Sequence, residues 1–445
     1  MGYAVPGTLV AFDDTDSPDG MCTTYLAVLA AKSLEGYDLI GLPRLVRLNP
    51  NIPWKTRGNA AICLSVGRGA GPAEKCGEVD GRAVMYYRRG SPANPREVLD
   101  VVASLIESKA EVDCENTNPG VVATNRRPSP SLYWRAVRGV VPLQDVEREL
   151  RGCGAVWRKF KNGRGVIGAA SAISWRPRDR TWEVIAYRSE DRFGTPRSVD
   201  PQSVIEMDKA TNATFNNYDY ENGHVAISPG SPCPILFGIR GDSAEELLTA
   251  RTMIRGEGQA GWMLFLTNQG TEEHLVDRRI ASLSSGDSAR VRVRVVSPPV
   301  TIHGGHVIVR VSDGDEIDAA FYEPSRGFRE IARSLLPGDR LVLSGSVRGE
   351  PRALNVEKMK IEHLVDDVRK VRNPVCKKCG KSMGSMGSGQ GFRCKKCGAK
   401  AASADAVLET VRRKVAPGWY EPPVSSRRHL HKPLRRMSRV AINKI

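Results

Sequence analysis

Three carboxylates fall within four residues near the start of the chain. Asp13, Asp14 and Asp16 directly follow residues 8–12, a short apolar run that is typical of a buried strand. Carboxylates this close together repel one another, so such a cluster usually persists where a cation is held. The pattern favours a Mg²⁺ site that binds nucleotide phosphates. A solvated Asp-rich turn is the alternative interpretation of the same residues.

Hydroxyl side chains surround this acidic cluster. A helix is predicted for residues 24–34, directly after the acidic loop, and its free backbone N–H groups would form a phosphate site beside Thr23. Further ligands or phosphate contacts would come from Thr15, Ser17 and Thr24.

A second candidate segment, residues 44–59, concentrates Arg, Lys, Asn and Gly where no regular element is predicted. It includes Lys55, Arg57, Gly58 and Asn59. Such a loop suits phosphate binding, because ammonium and guanidinium groups pair with phosphate oxygens. A basic surface loop is the other interpretation. The sequence contains no GxxxxGK[ST] motif, so no P-loop is expected.

The first two thirds of the chain alternate between predicted strands and helices. Strands are predicted for residues 60–66, 132–137, 156–160, 185–188 and 235–239, and helices for residues 97–109, 143–151 and 244–254. Beyond residue 128 this alternation indicates a second α+β unit of ferredoxin-like kind. Two loops of this unit, residues 212–219 and 228–234, are unusual; the latter is stiffened by three prolines and exposes carbonyl groups.

Residues 263–365 are predicted to be almost entirely strand. Segments 289–296, 306–311, 315–322 and 340–347 are rich in β-branched residues, and one helix is predicted at 325–336. Short strands with one inserted helix are typical of an OB-fold barrel, which commonly binds single-stranded nucleic acid. A barrel without a ligand is the alternative.

The last part of the chain combines a cysteine pattern with strong positive charge. Cys376, Cys379, Cys394 and Cys397 form two CxxC pairs with 14 residues between them, the spacing of a structural zinc site. An iron–sulfur site is the rival interpretation. Four lysines inside the pairs are predicted to contact RNA phosphates: Lys377, Lys378, Lys395 and Lys396.

Charge and hydropathy narrow the class of protein. From residue 369 onward there are 20 Lys and Arg against three acids, whereas the rest of the chain is close to neutral. A basic charge confined to one end indicates a polyanion-binding module. The sequence has no apolar run of the ~20 residues that a membrane span needs, and no signal-peptide pattern at its start. We therefore expect a soluble, cytoplasmic, monomeric protein.

Taken in order, these motifs resemble those of one family, the archaeal tRNA(Ile) 2-agmatinylcytidine synthetases. The resemblance covers essentially the whole chain. The matching segments are DDTD and GMCTTY in residues 13–25, RLNPNIPWKTRGN at 47–59, NTNPG at 116–120, GRG at 163–165, ATFNNYD at 213–219, PCPILFGIRG at 232–241, TNQGT at 267–271 and the four-cysteine ribbon.

The resemblance implies a multidomain α+β architecture. A kinase-like α/β catalytic domain would occupy residues 1–128, and a ferredoxin-like domain that contributes to the substrate pocket would occupy 129–262. An OB-fold at 263–365 and a zinc ribbon at 366–426 would follow. Residues 427–445 would form a basic tail, which the resemblance does not place.

The resemblance also implies an activity: ATP-dependent attachment of agmatine to C2 of the wobble cytidine, position 34, of the minor isoleucine tRNA. ATP would phosphorylate the C2 oxygen and end as AMP and two phosphates, and the amine of agmatine would displace phosphate. By position, Asp13, Asp14 and Asp16 would hold Mg²⁺ and the triphosphate, with Lys55 and Arg57 neutralising the transferring phosphate. Thr23 would be the family's autophosphorylated threonine, with Thr15, Ser17, Thr24, Gly58 and Asn59 nearby.

Agmatine needs acceptors for its guanidinium group and a dry environment for its amine. On this reasoning the candidates are Asn216, Asn217, Asp219, Ser228, Pro229, Gly230, Pro232 and Cys233. Two other functions are compatible with parts of the pattern. One is a non-catalytic RNA-binding protein with an OB-fold and a ribbon, and the other is a nuclease or polymerase-like enzyme that uses the three aspartates for two metals.

Overall fold

The computed structural model describes residues 3–437. Within residues 3–267 the strands are β1 (Tyr3–Asp13), β2 (Asp38–Ile40), β3 (Arg44–Arg47), β4 (Ala60–Val79), β5 (Arg82–Pro92), β6 (Gly120–Arg127), β7 (Val156–Lys159), β8 (Thr181–Tyr187), β9 (Thr214–Phe215), β10 (Tyr218–Asp219), β11 (His224–Val225), β12 (Ile235–Gly241) and β13 (Gly261–Thr267). The helices of this part are α1 (Thr23–Ser33), α2 (Pro95–Lys109), α3 (Pro130–Arg138), α4 (Leu143–Gly152), α5 (Gly165–Ser174), α6 (Pro201–Ala210) and α7 (Ala244–Met253).

Strand β1 lies in the interior of an 11-stranded sheet. The main path of the sheet is β7-β6-β1-β4-β3-β13-β8-β12-β9, with β2 and β5 paired to β4 and to each other. Because successive side chains point to opposite faces, Val10 and Phe12 pack with α1 and α2, whereas Leu9 and Ala11 pack with α3, α4 and α5. Both faces of β1 are therefore buried, and Asp13 is the first acidic residue where the strand leaves the core.

The sheet continues across residue 128, the predicted boundary between the first two domains. Strand β7 pairs antiparallel with β6, so Gly120 lies opposite Lys159. Farther along, β13 pairs with β4 and β3 on one side and with β8 on the other. Strands β8, β12 and β13 carry a separate core with α6 and α7. Thus residues before and after 128 share one sheet.

The strand predicted for residues 132–137 is wrong, because this segment belongs to helix α3. The side chain of Ser129 accepts a hydrogen bond from the N–H of Ser131, and Pro130 occupies the first turn, where its missing N–H costs nothing. The buried residues recur at helical rather than alternating spacing: Leu132, Tyr133, Ala136 and Val137. A helix that the sequence did not reveal, α5, follows the GRG motif.

Residues 276–363 form a closed barrel. Its strands are β14 (Val276–Asp277), β15 (Ser288–Val295), β16 (Val300–Thr301), β17 (Val307–Ser312), β18 (Glu316–Phe321), β19 (Arg340–Arg348) and β20 (Ala353–His363), with helix α8 (Gly327–Arg333) before β19. Five of them close a ring in the order β15-β19-β20-β18-β17, and β17 pairs back to β15. The predicted strands and helix of this region are confirmed, and their apolar side chains fill one core.

The remaining strands belong to the cysteine-rich module and its connections. They are β21 (Asp367–Arg372), β22 (Gly384–Ser385), β23 (Phe392–Arg393), β24 (Lys400–Ala401), β25 (Val407–Val411) and β26 (Gly418–Tyr420). Strand β26 pairs with β20 and returns the chain to the barrel. Among the described residues, no helix is long and apolar enough to cross a membrane.

Residues 427–437, predicted as part of a basic tail, pack into the interior of the protein. Leu430 is 2% exposed and belongs to the core beneath α3 and α5. Arg436 pairs with Asp179 at 2.5 Å and with Asp242 at 2.7 Å. We call residues 427–437 the C-terminal segment. The rest of the predicted tail, residues 438–445, lies outside the described residues.

Candidate active site

Asp13 is the most deeply placed of the three aspartates. It ends β1, is 9% exposed, and accepts a hydrogen bond from the N–H of Asp14 at 2.7 Å. Helix α5 passes directly against its carboxylate: a Cβ atom at Gly168 would lie 1.7 Å from Oδ2 of Asp13. Burial, reinforced by the neighbouring charge of Asp14, raises the pKa of Asp13 well above its usual value.

Asp14 turns the chain out of the strand. Its backbone is left-handed, with φ of 60°, which is unfavourable for a non-glycine residue and points to a functional constraint at this position. Its Oδ2 accepts hydrogen bonds from Nε of Arg164 at 2.7 Å and from the N–H of Asn118 at 3.2 Å. Burial still raises the pKa of Asp14, although Arg164 opposes this effect.

Asp16 is held by Arg57. Nε of Arg57 donates to Oδ2 of Asp16 at 3.0 Å, and Nη2 donates to the carbonyl oxygens of Gly20, at 2.7 Å, and of Met21. The same guanidinium reaches the hydroxyl of Ser231 at 3.2 Å. Arg57 therefore ties the acidic loop to the proline-rich loop of residues 228–234. Burial raises the pKa of Asp16 despite this ion pair.

The three aspartates line a first cavity of about 690 Å³, together with Lys55, Arg57, Gly58 and Asn59. The structure thus brings together the acidic cluster and the basic loop that were predicted separately. Nζ of Lys55 donates to the carbonyl oxygen of Pro50 at 2.7 Å. Arg164 also lines this cavity, although its side chain was not singled out from the sequence.

A second cavity of about 950 Å³ adjoins the first. Asp16, Arg57, Gly58 and Ala60 line both. Thr23 and Thr24, in the first turn of α1, line only the second. Thr15 and Ser17 are buried behind them: Thr15 donates to the hydroxyl of Thr23 at 3.2 Å, and Ser17 donates to Glu111. The predicted threonine therefore faces the second cavity, next to the residues shared with the first.

Charges in the second cavity are mostly paired. Nε of Arg240 lies 2.9 Å from Oε1 of Glu183, and Gln269 donates to the other carboxylate oxygen. Ser228, Pro229 and Cys233 line this cavity as well. Pro232 and Gly230 instead line a separate surface groove with Arg197.

The carbonyl groups of the proline-rich loop already hold a guanidinium group. Arg197 donates to the carbonyl oxygens of Pro229 and Ser231, each at 2.7 Å, and to that of Cys233 at 2.9 Å. This shows that the loop has the guanidinium-binding chemistry expected from its sequence. However, these carbonyl groups are engaged within the chain, and what the loop presents to the cavity is its other side.

Three predicted substrate contacts do not line either cavity. Asn216 accepts a hydrogen bond from Arg427 at 2.8 Å, and Asn217 donates to Asp208 at 2.8 Å. Asp219 accepts from the N–H of Ser425 at 2.9 Å, and its hydrogen bonds to Ser425 and Asn222 lower its pKa to about 2, against the effect of burial. In the structure these side chains support the C-terminal segment and the chain leading to it.

The four predicted metal ligands converge. The sulfur atoms of Cys376, Cys379, Cys394 and Cys397 lie within 4.8 Å of one another. Four thiolates at this spacing fit a tetrahedral zinc ion. Met383 and Phe392 form a small core beside them. The four lysines of the pairs are exposed: Lys377, Lys378, Lys395 and Lys396.

Comparison with known proteins agrees with this arrangement. Models of the TiaS TCKD domain, the TiaS FLD domain and the TiaS C-terminal zinc ribbon domain match residues 9–162, 163–274 and 373–415. The 2-agmatinylcytidine synthetase TiaS of Methanosarcina mazei, named for an isoleucine tRNA, is 42% identical over 447 residues, which cover 97% of this chain and 98% of that protein. The synthetase of the same name from Methanocaldococcus jannaschii is 39% identical over 435 residues, 96% and 97% of the two chains.

The chain belongs to the TiaS family. Solved TiaS structures also share its fold. A complex of TiaS with its isoleucine tRNA and ATP aligns with a TM-score of 0.83 at 37% identity, and a complex with the tRNA, AMPCPP and agmatine aligns with 0.80 at 35%. Each alignment covers 97% of both chains. The family resemblance of the sequence motifs is thereby confirmed.

Several residues of this TiaS chain reach the cavities without having been selected from the sequence. Asn118 and Arg164 lie in the NTNPG and GRG motifs, so the motifs signalled them but not their contact with Asp14. Glu183 and Arg240 lie on neighbouring strands, and only the register of β8 with β12 brings them together. His429 lines the second cavity from the C-terminal segment, and no local pattern indicates this.

Proposed function

We propose that the protein attaches agmatine to C2 of the wobble cytidine, position 34, of the minor isoleucine tRNA, with consumption of ATP. The observation that carries this proposal is the junction of the two cavities at Asp16 and Arg57. An acidic, phosphate-type cavity next to a second, drier one suits a reaction in which a base is first phosphorylated and then attacked by an amine. The names of the TiaS relatives point to the same reaction.

We also propose the finer architecture. The catalytic domain would be kinase-like, and the part with β8, β12 and β13 ferredoxin-like, with the TiaS domain models dividing the two at residue 162. The barrel has the properties of an OB-fold: five strands, one parallel contact between β18 and β20, and a helix before the fourth ring strand. The zinc ribbon and the C-terminal segment would follow.

In the first cavity, Asp13, Asp14 and Asp16 would hold Mg²⁺. The ion would supply positive charge to the phosphate oxygens of ATP. The chain's own carboxylates fit this role, because burial and mutual repulsion leave them short of positive charge. Arg57 and Lys55 would neutralise charge on the transferring phosphate. ATP would end as AMP and two phosphates.

The second cavity would bring cytidine and agmatine together, with Thr23 in its wall as the autophosphorylated residue. Agmatine's amine must be neutral to attack, and the dry wall formed by Cys22, Cys233 and Ile185 favours the neutral form. Glu183 and the hydroxyls of Ser228 and Ser231 are the acceptors that face this cavity.

The barrel and ribbon would bind the tRNA. The target base must leave its stack to reach the cavity, which is comparatively cheap in a single-stranded anticodon loop. The exposed lysines of the cysteine pairs would contact phosphates of the tRNA body. We further propose that the protein acts in the cytoplasm as a monomer.

Mass spectrometry of nucleosides tests the proposed function. The isoleucine tRNA would be incubated with protein, ATP and agmatine, and then digested. We expect agmatidine with the wild-type protein and unmodified cytidine with Asp13→Asn. Binding of tRNA without any ATP-dependent product would instead favour a non-catalytic RNA-binding protein. Cleavage or extension of the RNA without agmatine would favour a two-metal nuclease or polymerase.

A further inference from the structure

Arg47 differs from the other arginines of the second cavity. Arg57 pairs with Asp16, and Arg240 with Glu183. Arg47 forms no salt bridge with any carboxylate of residues 3–437, and its guanidinium makes one long hydrogen bond, from Nη1 to the carbonyl oxygen of Gly58 at 3.3 Å. Its Nε is buried without a hydrogen-bond partner. The wall of this cavity therefore carries one positive charge that no carboxylate of the described residues pairs with.

His429 lies beside this charge. A Cβ atom at Gly58 would lie 2.7 Å from Nη1 of Arg47 and 3.2 Å from Nε2 of His429, so both side chains border the same small space. Nδ1 of His429 is buried without a partner. Burial, with the nearby charges of Arg47 and Arg240, holds the pKa of His429 well below its usual value, so the ring is neutral at physiological pH.

Such an arrangement is costly without a ligand. A buried cation that lacks a counter-ion is strongly destabilising, and an unpaired imidazole nitrogen adds to the cost. Other charged groups facing this space are themselves paired, as described for Arg240, Glu183, Arg57 and Asp16. An anion with several acceptor oxygens would satisfy the unpaired donors, whereas a diamine such as agmatine would be repelled by Arg47.

We propose that Arg47 and His429, on either side of Gly58, form a phosphate subsite of the second cavity. The guanidinium donates to phosphate oxygens, and the neutral imidazole donates its ring N–H to another oxygen. This inference depends on the proposed function, which brings two phosphates to this cavity. One is a phosphodiester of the RNA beside the target cytidine, and the other is the free phosphate released during the reaction.

The C-terminal segment fixes the position of this subsite. His429 follows Arg428, which donates to Oδ1 of Asn51 at 2.6 Å and to the hydroxyl of Ser346 at 3.2 Å. The carbonyl oxygen of His429 accepts a hydrogen bond from the N–H of Gly270 at 2.9 Å. The imidazole is therefore held by contacts to the first cavity's loop, to the barrel and to the end of β13.

Phosphate replacement in a synthetic anticodon-arm RNA tests the subsite. Full-length wild-type protein and Arg47→Met would be compared for binding of the normal RNA and of RNA with a neutral methylphosphonate on either side of the target cytidine. We expect Arg47→Met to weaken binding of the normal RNA by roughly 10- to 100-fold, as for loss of a hydrogen bond between charged groups. With the correct methylphosphonate RNA this loss should vanish, which identifies the phosphodiester as the ligand.

A second arm tests free phosphate. If the loss persists with both methylphosphonate RNAs, but orthophosphate protects the wild-type protein from thermal unfolding and does not protect Arg47→Met, the ligand is the released phosphate. His429→Gln and Arg47→Lys should each show a smaller loss. Arg89→Met removes an exposed arginine and should behave as wild type. Gly58→Ala, which fills the space, provides a further variant if Arg47→Met does not fold.

Two results separate the failures. The subsite is overturned if wild-type protein produces agmatidine and yet neither methylphosphonate nor orthophosphate distinguishes it from Arg47→Met. Wild-type protein that binds the RNA in an Arg47-dependent way but yields no agmatidine contradicts the proposed function and leaves the phosphate subsite standing.

Discussion

Gly168 and Asp13 are in direct contact: the backbone of α5 occupies the space in which a side chain would meet the carboxylate, at 1.7 Å from its Oδ2. The helix thus presses its first turn onto the end of β1. It excludes water from one side of the aspartate and limits the rotamers that the carboxylate can adopt.

Gly168→Ala tests the importance of this contact. The added methyl group must displace the Asp13 carboxylate, so we expect loss of magnesium-dependent labelling from radioactive ATP and a destabilisation of about 1–3 kcal/mol. Gly152→Ala, at the end of α4, is the matched control, because a Cβ there meets no atom within 4 Å. Activity in Gly168→Ala equal to that of the control would contradict the role of Asp13.

Asp13→Asn should separate stability from function. The pKa of Asp13 is raised in the folded protein, so its contribution is full below the unfolded value and is lost as pH rises through the folded value. Ligand-free Asp13→Asn should therefore be more stable than wild type at pH 8, by about 1.4 kcal/mol per unit of the raised pKa, and the gain should shrink towards pH 4. Chemical denaturation at both pH values measures this. A variant that is less stable at pH 8 would show that no such repulsion exists.

Glu273 gives a second pH dependence, remote from the acidic loop. Burial raises the pKa of Glu273 to about 7, partly offset by the hydroxyl of Tyr133, which donates to its carboxylate. Its contribution to stability is present below its ordinary pKa and is lost as pH rises through about 7. Glu273→Gln should flatten the change in unfolding free energy between pH 5 and pH 8 by at most about 3 kcal/mol. An unchanged pH profile would contradict this assignment.

The C-terminal segment should stabilise the catalytic half. Leu430 is 2% exposed in the core under α3 and α5, so Leu430→Ala should cost about 2–5 kcal/mol of unfolding free energy. Leu408, which is 54% exposed, provides the control, and Leu408→Ala should be nearly neutral. Equal thermal stabilities of the two variants would mean that the segment is not part of the core in solution.

The ribbon lysines should act on RNA affinity through charge alone. Replacing Lys377, Lys378, Lys395 and Lys396 by Gln should weaken tRNA binding and reduce the slope of log affinity against log salt by about 3. Zinc content, measured by atomic absorption, should remain one ion per chain in this variant and be lost in Cys394→Ser. A salt slope equal to that of the wild type would remove these lysines from the interface.

How far the sequence predicted this molecule depended on how local each signal was. The acidic loop, the cysteine pairs and the barrel strands follow from spacing or alternation within a few residues, and the structure has them where expected. The strand predicted at 132–137 was wrong because apolar residues in short runs fit both periods, and the helix signal lay in the Ser129–Pro130 start.

Other features could not be read from local pattern. Glu183 and Arg240 meet only through the pairing of β8 with β12, and Asp14 meets Arg164 across 150 positions. The segment 212–219 was rich in amides and looked suited to agmatine, but its partners are Arg427 and Ser425, far away in the chain. Charge composition hid the C-terminal segment, because its arginines pair with buried acids rather than with solvent.

The position of Leu430 and His429 has a consequence for biosynthesis. A ribosome completes the sheet, the barrel and the cysteine module before it has made the residues that close the second cavity. A chain that ends early, or whose final segment is clipped, would keep its RNA-binding parts and yet lack one wall of the reaction chamber. Such a fragment would occupy its tRNA without modifying it, so integrity of the last residues is a condition for useful binding.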